Sequence, residues 1–193
     1  MLKKVLLGFI LISASLITQS QIVNIKIETE LGSMVAELYP EKAPITCNNF
    51  LRYISNNKLE NAFFYRVVRM DNQPNSDIKI EVIQGGLGFD LEESAYPAIK
   101  HETTKETGVL HLDGTLSMAR AKPGTATSEF FICIGKQPEL DYGGKRNPDG
   151  QGFAAFGKVI VGMDIVREIQ NLPSNGQMLT ETVKILSISV IKK

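Results

Sequence analysis

The 193-residue chain has no tryptophan and only two cysteines and two histidines. Cys47 and Cys133 are too few for a disulfide framework, and a chain of this length buries a core without one. Neither charge sign is in excess: Lys+Arg and Asp+Glu number 21 each. The basic surplus of a nucleic-acid binder is therefore missing. A hydrophobic share of 43% with 22% charged residues excludes a disordered chain and fits one globular domain. Internal repeats, low-complexity tracts and a second domain boundary are also absent.

The one long apolar run sits at the N-terminus. Lys3 and Lys4 precede Val5–Ile17, and the polar stretch Thr18–Gln21 follows, with Thr18 and Ser20 as small residues before a cleavage site. A basic start, a short apolar run and small residues describe a secretory signal over Met1–Ser20. The run is short for a membrane span, which needs about 20 residues; an uncleaved anchor is the alternative. No cysteine is placed for lipid attachment. Cleavage before Gln21 leaves 19 basic against 21 acidic side chains, a mildly acidic exported protein, periplasmic or secreted.

From Gln21 onward the pattern predicts one domain to Lys193. Ile22–Thr29 and Ser33–Leu38 alternate apolar and polar residues around Glu30–Gly32, which reads as a hairpin. Pro44 suits a helix start, and Cys47, Phe50, Leu51 and Ile54 then fall on one helical stripe. Short strands are expected at 62–68, 78–84, 115–118, 129–134, 154–160 and 183–191, with a second helix over 163–171. Many short strands and two helices indicate a mainly β barrel or sandwich. Asp71–Asp77 and Asp141–Gly152 read as polar surface loops.

Most familiar chemistries fail on the residues. His101 and His111 have no carboxylate or cysteine at metal-ligand spacing and read as surface or strand-end histidines. No Ser–His–acid triad can be argued from two histidines, and no G-x-S-x-G elbow occurs. Gly143–Lys145 lacks the spacing and hydroxyl of a phosphate loop. Cys47 and Cys133 could pair after export, but one falls on a helix and the other on a strand, so the sequence leaves their pairing open.

What remains is an ordered series: F-Y-R-V-V at 64–68, Q-G-G at 84–86, G-T-L-S-M-A at 114–119, S-E-F-F-I at 128–132 and F-G-K-V at 156–159. Taken singly, each is a barrel strand. Together and in this order they resemble the cyclophilin family of peptidyl-prolyl cis–trans isomerases, through essentially all the chain after Gln21. The stretch G-G-K-R-N-P-D-G-Q-G-F-A-A-F-G, with the leader, resembles exported bacterial members. The resemblance implies a closed eight-stranded antiparallel β-barrel capped by two α-helices, and the strand and helix reading agrees.

Residue by residue, the resemblance makes Arg66 the catalytic arginine and Gln84 the substrate-orienting glutamine. Phe131, Leu140, Phe153 and Val82 become the proline pocket, with Val82 in place of a usual methionine. Ala119, Arg120 and Ala121 become the segment whose backbone holds the substrate peptide. Arg120 replaces a usual asparagine, a change expected to matter little because the contact is through backbone. Three departures stand out. Glu139 takes the place of a rim tryptophan, and Phe153 that of a common histidine. Met70–Ile80 lengthens the arginine-to-glutamine connection and puts Glu81 where a pocket phenylalanine is usual.

The implied reaction breaks no bond. Turning an X–Pro amide means crossing a barrier of about 20 kcal/mol, so neither nucleophile nor cofactor nor metal is expected. The implied partners are proline-containing polypeptides, including exported proteins in the course of folding, with no nucleic acid. A monomer is expected. Cyclosporin-type inhibitors are expected to bind weakly, because Glu139 has no indole N–H to donate. The alternative function is a cyclophilin-like module that binds proline peptides without turnover; retention of Arg66, Gln84 and Phe131 together favours the enzyme.

Overall fold

The computed structural model describes residues 22–88 and 95–192. The leader expected at Met1–Ser20 lies outside the described residues.

Two alternating segments make the first hairpin, β1 (Val23–Thr29) and β2 (Gly32–Leu38). Its turn is closed by Thr29 Oγ1 donating to the Gly32 carbonyl at 2.8 Å. Gly32 has φ 148°, and an added Cβ would run into Ile165, so the tight turn needs glycine there. Helix α1 (Pro44–Ser55) follows. Its N-cap, Ala43, offers no side-chain acceptor; buried Glu102 accepts instead from Ile45 N at 3.1 Å and Thr46 N at 2.7 Å. A carboxylate at this end satisfies orphan N–H groups and complements the helix dipole.

The remaining elements are β3 (Phe63–Val68), β4 (Val82–Gly86), α2 (Thr104–Thr107), β5 (Thr115–Met118), β6 (Phe130–Cys133), β7 (Ala154–Val161), α3 (Met163–Gln170), β8 (Ser174–Asn175) and β9 (Met178–Val190). All strand pairs are antiparallel. The order β1-β2-β7-β5-β6-β4-β3-β9 returns to β1 through a β1–β9 pairing, which closes an eight-stranded barrel. Two-residue β8 is an extra strand paired with β9. Helix α1 packs on β7 and β9, and α3 on β2, β3 and β4.

Period-two alternation divides the side chains between two cores. Leu116 and Met118 of β5, Ile83 of β4, and Phe130 and Ile132 of β6 join Phe50 of α1 inside the barrel. Phe50 meets Phe130 edge-on at 5.3 Å and Phe156 at 5.1 Å. Val82, Phe131 and Cys133 point to the other face, where they form a smaller apolar cluster with Val68, Ile80, Ala119 and Leu140. Phe153 packs against this second cluster.

Two boundaries differ from the sequence reading. β4 begins at Val82, not Ile78, because buried Gln73 captures Ile80: its Nε2 donates to the Ile80 carbonyl at 2.8 Å, and its Oε1 accepts from Ile80 N at 3.2 Å. A side chain thus replaces the ladder partners at Ile80, while the Glu81 carbonyl still accepts from Ile134 N at 2.9 Å. β9 starts at Met178, earlier than Val183, because β8 and β3 both pair with its first residues. The short α2 escaped notice since four residues carry no periodicity; its signal was the capping box Thr103–Glu106, ended by Gly108.

Candidate active site

Arg66, Gln84, Phe131 and Ser117 stand in one row across β3, β4, β6 and β5, each paired with the next. Strict alternation would not aim Arg66 this way. In β3, Phe64 pairs with Gly85 and Arg66 with Gln84, so Tyr65 is an extra residue, a bulge that turns the arginine outward.

The guanidinium is held by two glutamines. Arg66 Nη1 donates to Gln84 Oε1 at 2.8 Å, while Nε and Nη2 donate to Gln177 Oε1 at 3.0 and 2.5 Å. One N–H on each terminal nitrogen is left without an acceptor among the described residues. Gln84 is itself fixed: its Nε2 donates to Tyr65 Oη at 2.9 Å, and the tyrosine hydroxyl donates to Glu129 at 2.5 Å. Buried Glu129 also accepts from Leu87 N at 2.8 Å and Gly88 N at 3.0 Å. Because the carboxylate can only accept, the relay has one polarity and turns the Gln84 oxygen toward Arg66. Gly86, at φ 146°, makes room for Glu129, since a Cβ there would collide with the carboxylate. Q-G-G and S-E-F-F-I are thus two halves of one support.

Burial first, then the neighbouring Arg146 guanidinium, pushes Arg66 below the ordinary arginine value; Tyr65 opposes this. An arginine remains charged through such a shift. Burial chiefly, with Glu129 beside it, raises Tyr65, so its hydroxyl keeps its proton.

Arg66 and Gln84 share a cleft of about 210 Å³ with Ile80, Val82, Ala119, Arg120, Phe131, Leu140, Arg146, Asn147 and Phe153. Phe153 meets Phe131 edge-on at 5.2 Å. Eight of the nine residues singled out from the sequence are gathered here. Ala121 is outside the lining; it is exposed, and its N–H donates to Thr125 Oγ1 at 3.2 Å. Ile80, rather than Glu81, lines the cleft, because Gln73 sets the end of the long connection. A larger recess of about 320 Å³, between Leu31 and Pro173, has neither an arginine nor an aromatic ring in its lining.

Arg120 corrects an expectation. Its side chain is 1% exposed and forks onto Asp149, with Nη1 at 2.8 Å and Nη2 at 2.9 Å, while Nε donates to the Gly152 carbonyl at 2.9 Å. It also lies 5.1 Å from the Phe153 ring centre. The side chain therefore pins the 141–153 loop that carries Phe153, and the change from asparagine is structural in consequence.

His111 is the second correction. It is 1% exposed, not a surface residue. Its Nδ1 lies 2.7 Å from Asp141 Oδ1, its Nε2 lies 2.9 Å from Ser117 Oγ, and its ring stacks on Phe131. Serine, histidine and aspartate are brought together after all, but Ser117 is fully buried and outside the cleft lining. The trio supports the floor under Phe131 instead of attacking a substrate. Cys47 and Cys133 are free, buried thiols; burial is the main cause that pushes Cys47 up to about 12 and Cys133 well above its usual value.

Sequence reasoning missed Ile80 and Asn147 in the cleft lining and, with more consequence, Gln177 and Arg146. The last two are carried by loops tied to Met70–Ile80. Gln177 Nε2 donates to the Asn72 carbonyl at 3.4 Å, and Arg146 Nη1 donates to Ser76 Oγ at 2.7 Å and to the Ile78 carbonyl at 2.5 Å. The added segment braces two sides of the cleft.

Residues 24–190 match a family model described as cyclophilin type peptidyl-prolyl cis-trans isomerase/CLD. A peptidyl-prolyl cis-trans isomerase of Acinetobacter baylyi is 37% identical over 201 residues, covering 98% of this chain and 96% of the relative. Peptidyl-prolyl cis-trans isomerase A of Dickeya dadantii is 29% identical over 177 residues, covering 88% and 85%. The crystal structure of a Cryptosporidium parvum cyclophilin type isomerase in the presence of the dipeptide Ala-Pro aligns with a TM-score of 0.71. It is 25% identical, over 88% of this chain and 99% of the other. By sequence over nearly its whole length, and by barrel topology, this chain belongs to the cyclophilin-type peptidyl-prolyl cis–trans isomerase family.

Proposed function

We propose that the chain catalyses cis–trans isomerisation of X–Pro bonds and does so on exported proteins as they fold. The observation that carries the catalytic reading is the bracing of Arg66 by Gln84 and Gln177 over an apolar floor of Phe131, Leu140 and Val82. A passive peptide binder gains little from a guanidinium held at three of its N–H groups. An isomerase gains much.

In the planar amide, the prolyl nitrogen shares its lone pair with the carbonyl and is a poor acceptor. As the bond twists, the lone pair localises, and an N–H of Arg66 donates to it. Such a bond strengthens only toward the transition state and so lowers the barrier rather than merely improving binding. Because Gln84 and Gln177 fix the fork beforehand, little reorganisation accompanies the reaction. The apolar floor grips the proline ring, and backbone at Ala119 and Arg120 holds the flanking peptide while the preceding carbonyl turns. A protease-coupled assay on X–Pro peptides tests this reading: acceleration proportional to protein concentration supports it, and peptide binding without acceleration makes the chain a binding module.

The location rests on the leader pattern of Lys3, Lys4, Val5–Ile17 and Ser20. Mass spectrometry of protein from its native host tests it. A mature terminus near Gln21 is expected; an intact Met1 terminus on a cytosolic protein contradicts it.

A further inference from the structure

Three arginines, Arg66, Arg120 and Arg146, line the cleft, and only Arg120 is neutralised, by Asp149. Among the described residues neither Arg66 nor Arg146 has a carboxylate partner. Arg66 is engaged by neutral glutamines, as its catalytic role requires. Arg146 has no such assignment, yet it is held firmly. Its backbone N–H donates to the Glu139 carbonyl at 3.1 Å, and its Nη1 donates to Ser76 Oγ and the Ile78 carbonyl. Its Nε and Nη2 have no acceptor among the described residues. Next to it, Asn147 also lines the cleft, and its buried Nδ2 has no hydrogen-bond partner.

Two adjacent residues of the cleft lining therefore carry N–H donors with no partner among the described residues, one of them charged. A half-buried guanidinium without a counter-ion is costly to keep. Here burial lowers Arg146's own attraction for protons, and its charge, after burial, also lowers that of Arg66 nearby. An acceptor carrying negative charge would satisfy both donors and relieve that repulsion.

We propose that Arg146 and Asn147 form a subsite for an anionic side chain, Asp or Glu, carried by the substrate within two residues of its proline. This makes acidic proline segments the preferred substrates of the isomerase reading, on which the inference rests. The planar fork suits a carboxylate, with Nε and Nη2 offered side by side. The Met70–Ile80 segment gains a purpose: Ser76 and Ile78 occupy Nη1 and leave Nε and Nη2 to a ligand.

The test uses exchange NMR on blocked peptides, which needs no protease and adds no terminal charge. One position at a time, at either of the two before proline or either of the two after it, carries Glu, Gln or Lys. For each peptide the kcat/KM is divided by the uncatalysed rate. At one of these positions Glu is expected to exceed Gln about tenfold, as one charge-assisted contact supplies, with Lys below Gln and the preference reduced in high salt. Arg146→Gln should bring the Glu-to-Gln ratio to within about twofold of unity, and Arg146→Lys should keep part of it. Equal rates for Glu and Gln at every position would overturn the inference while leaving the isomerase intact; this arm requires no variant and no assumption about folding. A Glu preference that survives Arg146→Gln would remove Arg146 from the account. No catalysed exchange with any peptide would overturn the isomerase reading, and the inference with it.

Discussion

Gln177 Oε1 accepts from both Nε and Nη2 of Arg66, across 111 positions of sequence. The two meet because Arg66 pairs with Met178 at the start of β9, which places the β8–β9 turn beside β3. This contact gives the guanidinium its angle, and Gln84 alone would leave it free to swing about Nη1.

Gln177→Ala is therefore expected to lower kcat about tenfold with KM nearly unchanged, through loss of the one acceptor that Nε and Nη2 share. Gln177→Glu keeps an acceptor for both N–H groups and should restore most of the rate. Steady-state kinetics with thermal melts separates positioning from folding. A change in KM alone would assign Gln177 to binding.

The fork from Arg120 to Asp149 and Gly152 should hold Phe153 over the pocket. Arg120→Ala is expected to cost about 1–3 kcal/mol, a fall in Tm of several degrees, and to raise KM severalfold. Asp149→Asn should do less, since the Gly152 carbonyl still accepts. Unchanged melts and KM for Arg120→Ala would show that the 141–153 loop is held by other contacts.

The row Arg66–Gln84–Phe131 was legible because motif and strand pattern point to the same faces. What the sequence concealed follows from two physical facts. The bulge at Tyr65 breaks period-two parity, so no alternation rule places Arg66 outward. And Gln177, Arg146 and Asn72 sit in loops whose contacts are long-range, between segments with no shared periodicity. His111 misled for the same reason: Asp141 is distant in sequence, and only the fold brings its carboxylate within 2.7 Å. Ile80 displaced Glu81 from the cleft through one side chain, Gln73, which no local pattern marks.

His101 supplies a pH dependence. Burial, opposed by the hydrogen bond to the Gln151 carbonyl, lowers it from its usual value. The unfolded chain therefore takes up the proton first. This contribution is complete above about pH 6.5 and declines as pH falls below it toward the lower folded value. Thermal melts of wild type and His101→Gln between about pH 5 and 8 should diverge in slope on the acid side, the variant being flatter. Parallel slopes would contradict the assignment.

Glu139 accepts from Lys145 N at 2.8 Å, so its carboxylate organises its own loop and offers no donor to a ligand. Cyclosporin-type inhibitors should bind weakly, and Glu139→Trp should strengthen them. An unpaired ligand carbonyl costs about 1–3 kcal/mol, or roughly tenfold or more in affinity. Isothermal titration of both proteins checks this. Tight binding by the unmodified chain would contradict it.

In the mechanism we propose, Arg66 acts on the prolyl nitrogen as the bond twists. The direct measurement is kcat/KM for X–Pro isomerisation by Arg66→Ala, beside its melt and a peptide titration. A folded variant that has lost roughly 10²–10³ in rate, about 2.7–4 kcal/mol, while binding peptide almost as before, is the result predicted. Arg66→Lys should also be slow, since an ammonium cannot engage both glutamines as the planar fork does. Near-normal turnover by folded Arg66→Ala would contradict the mechanism.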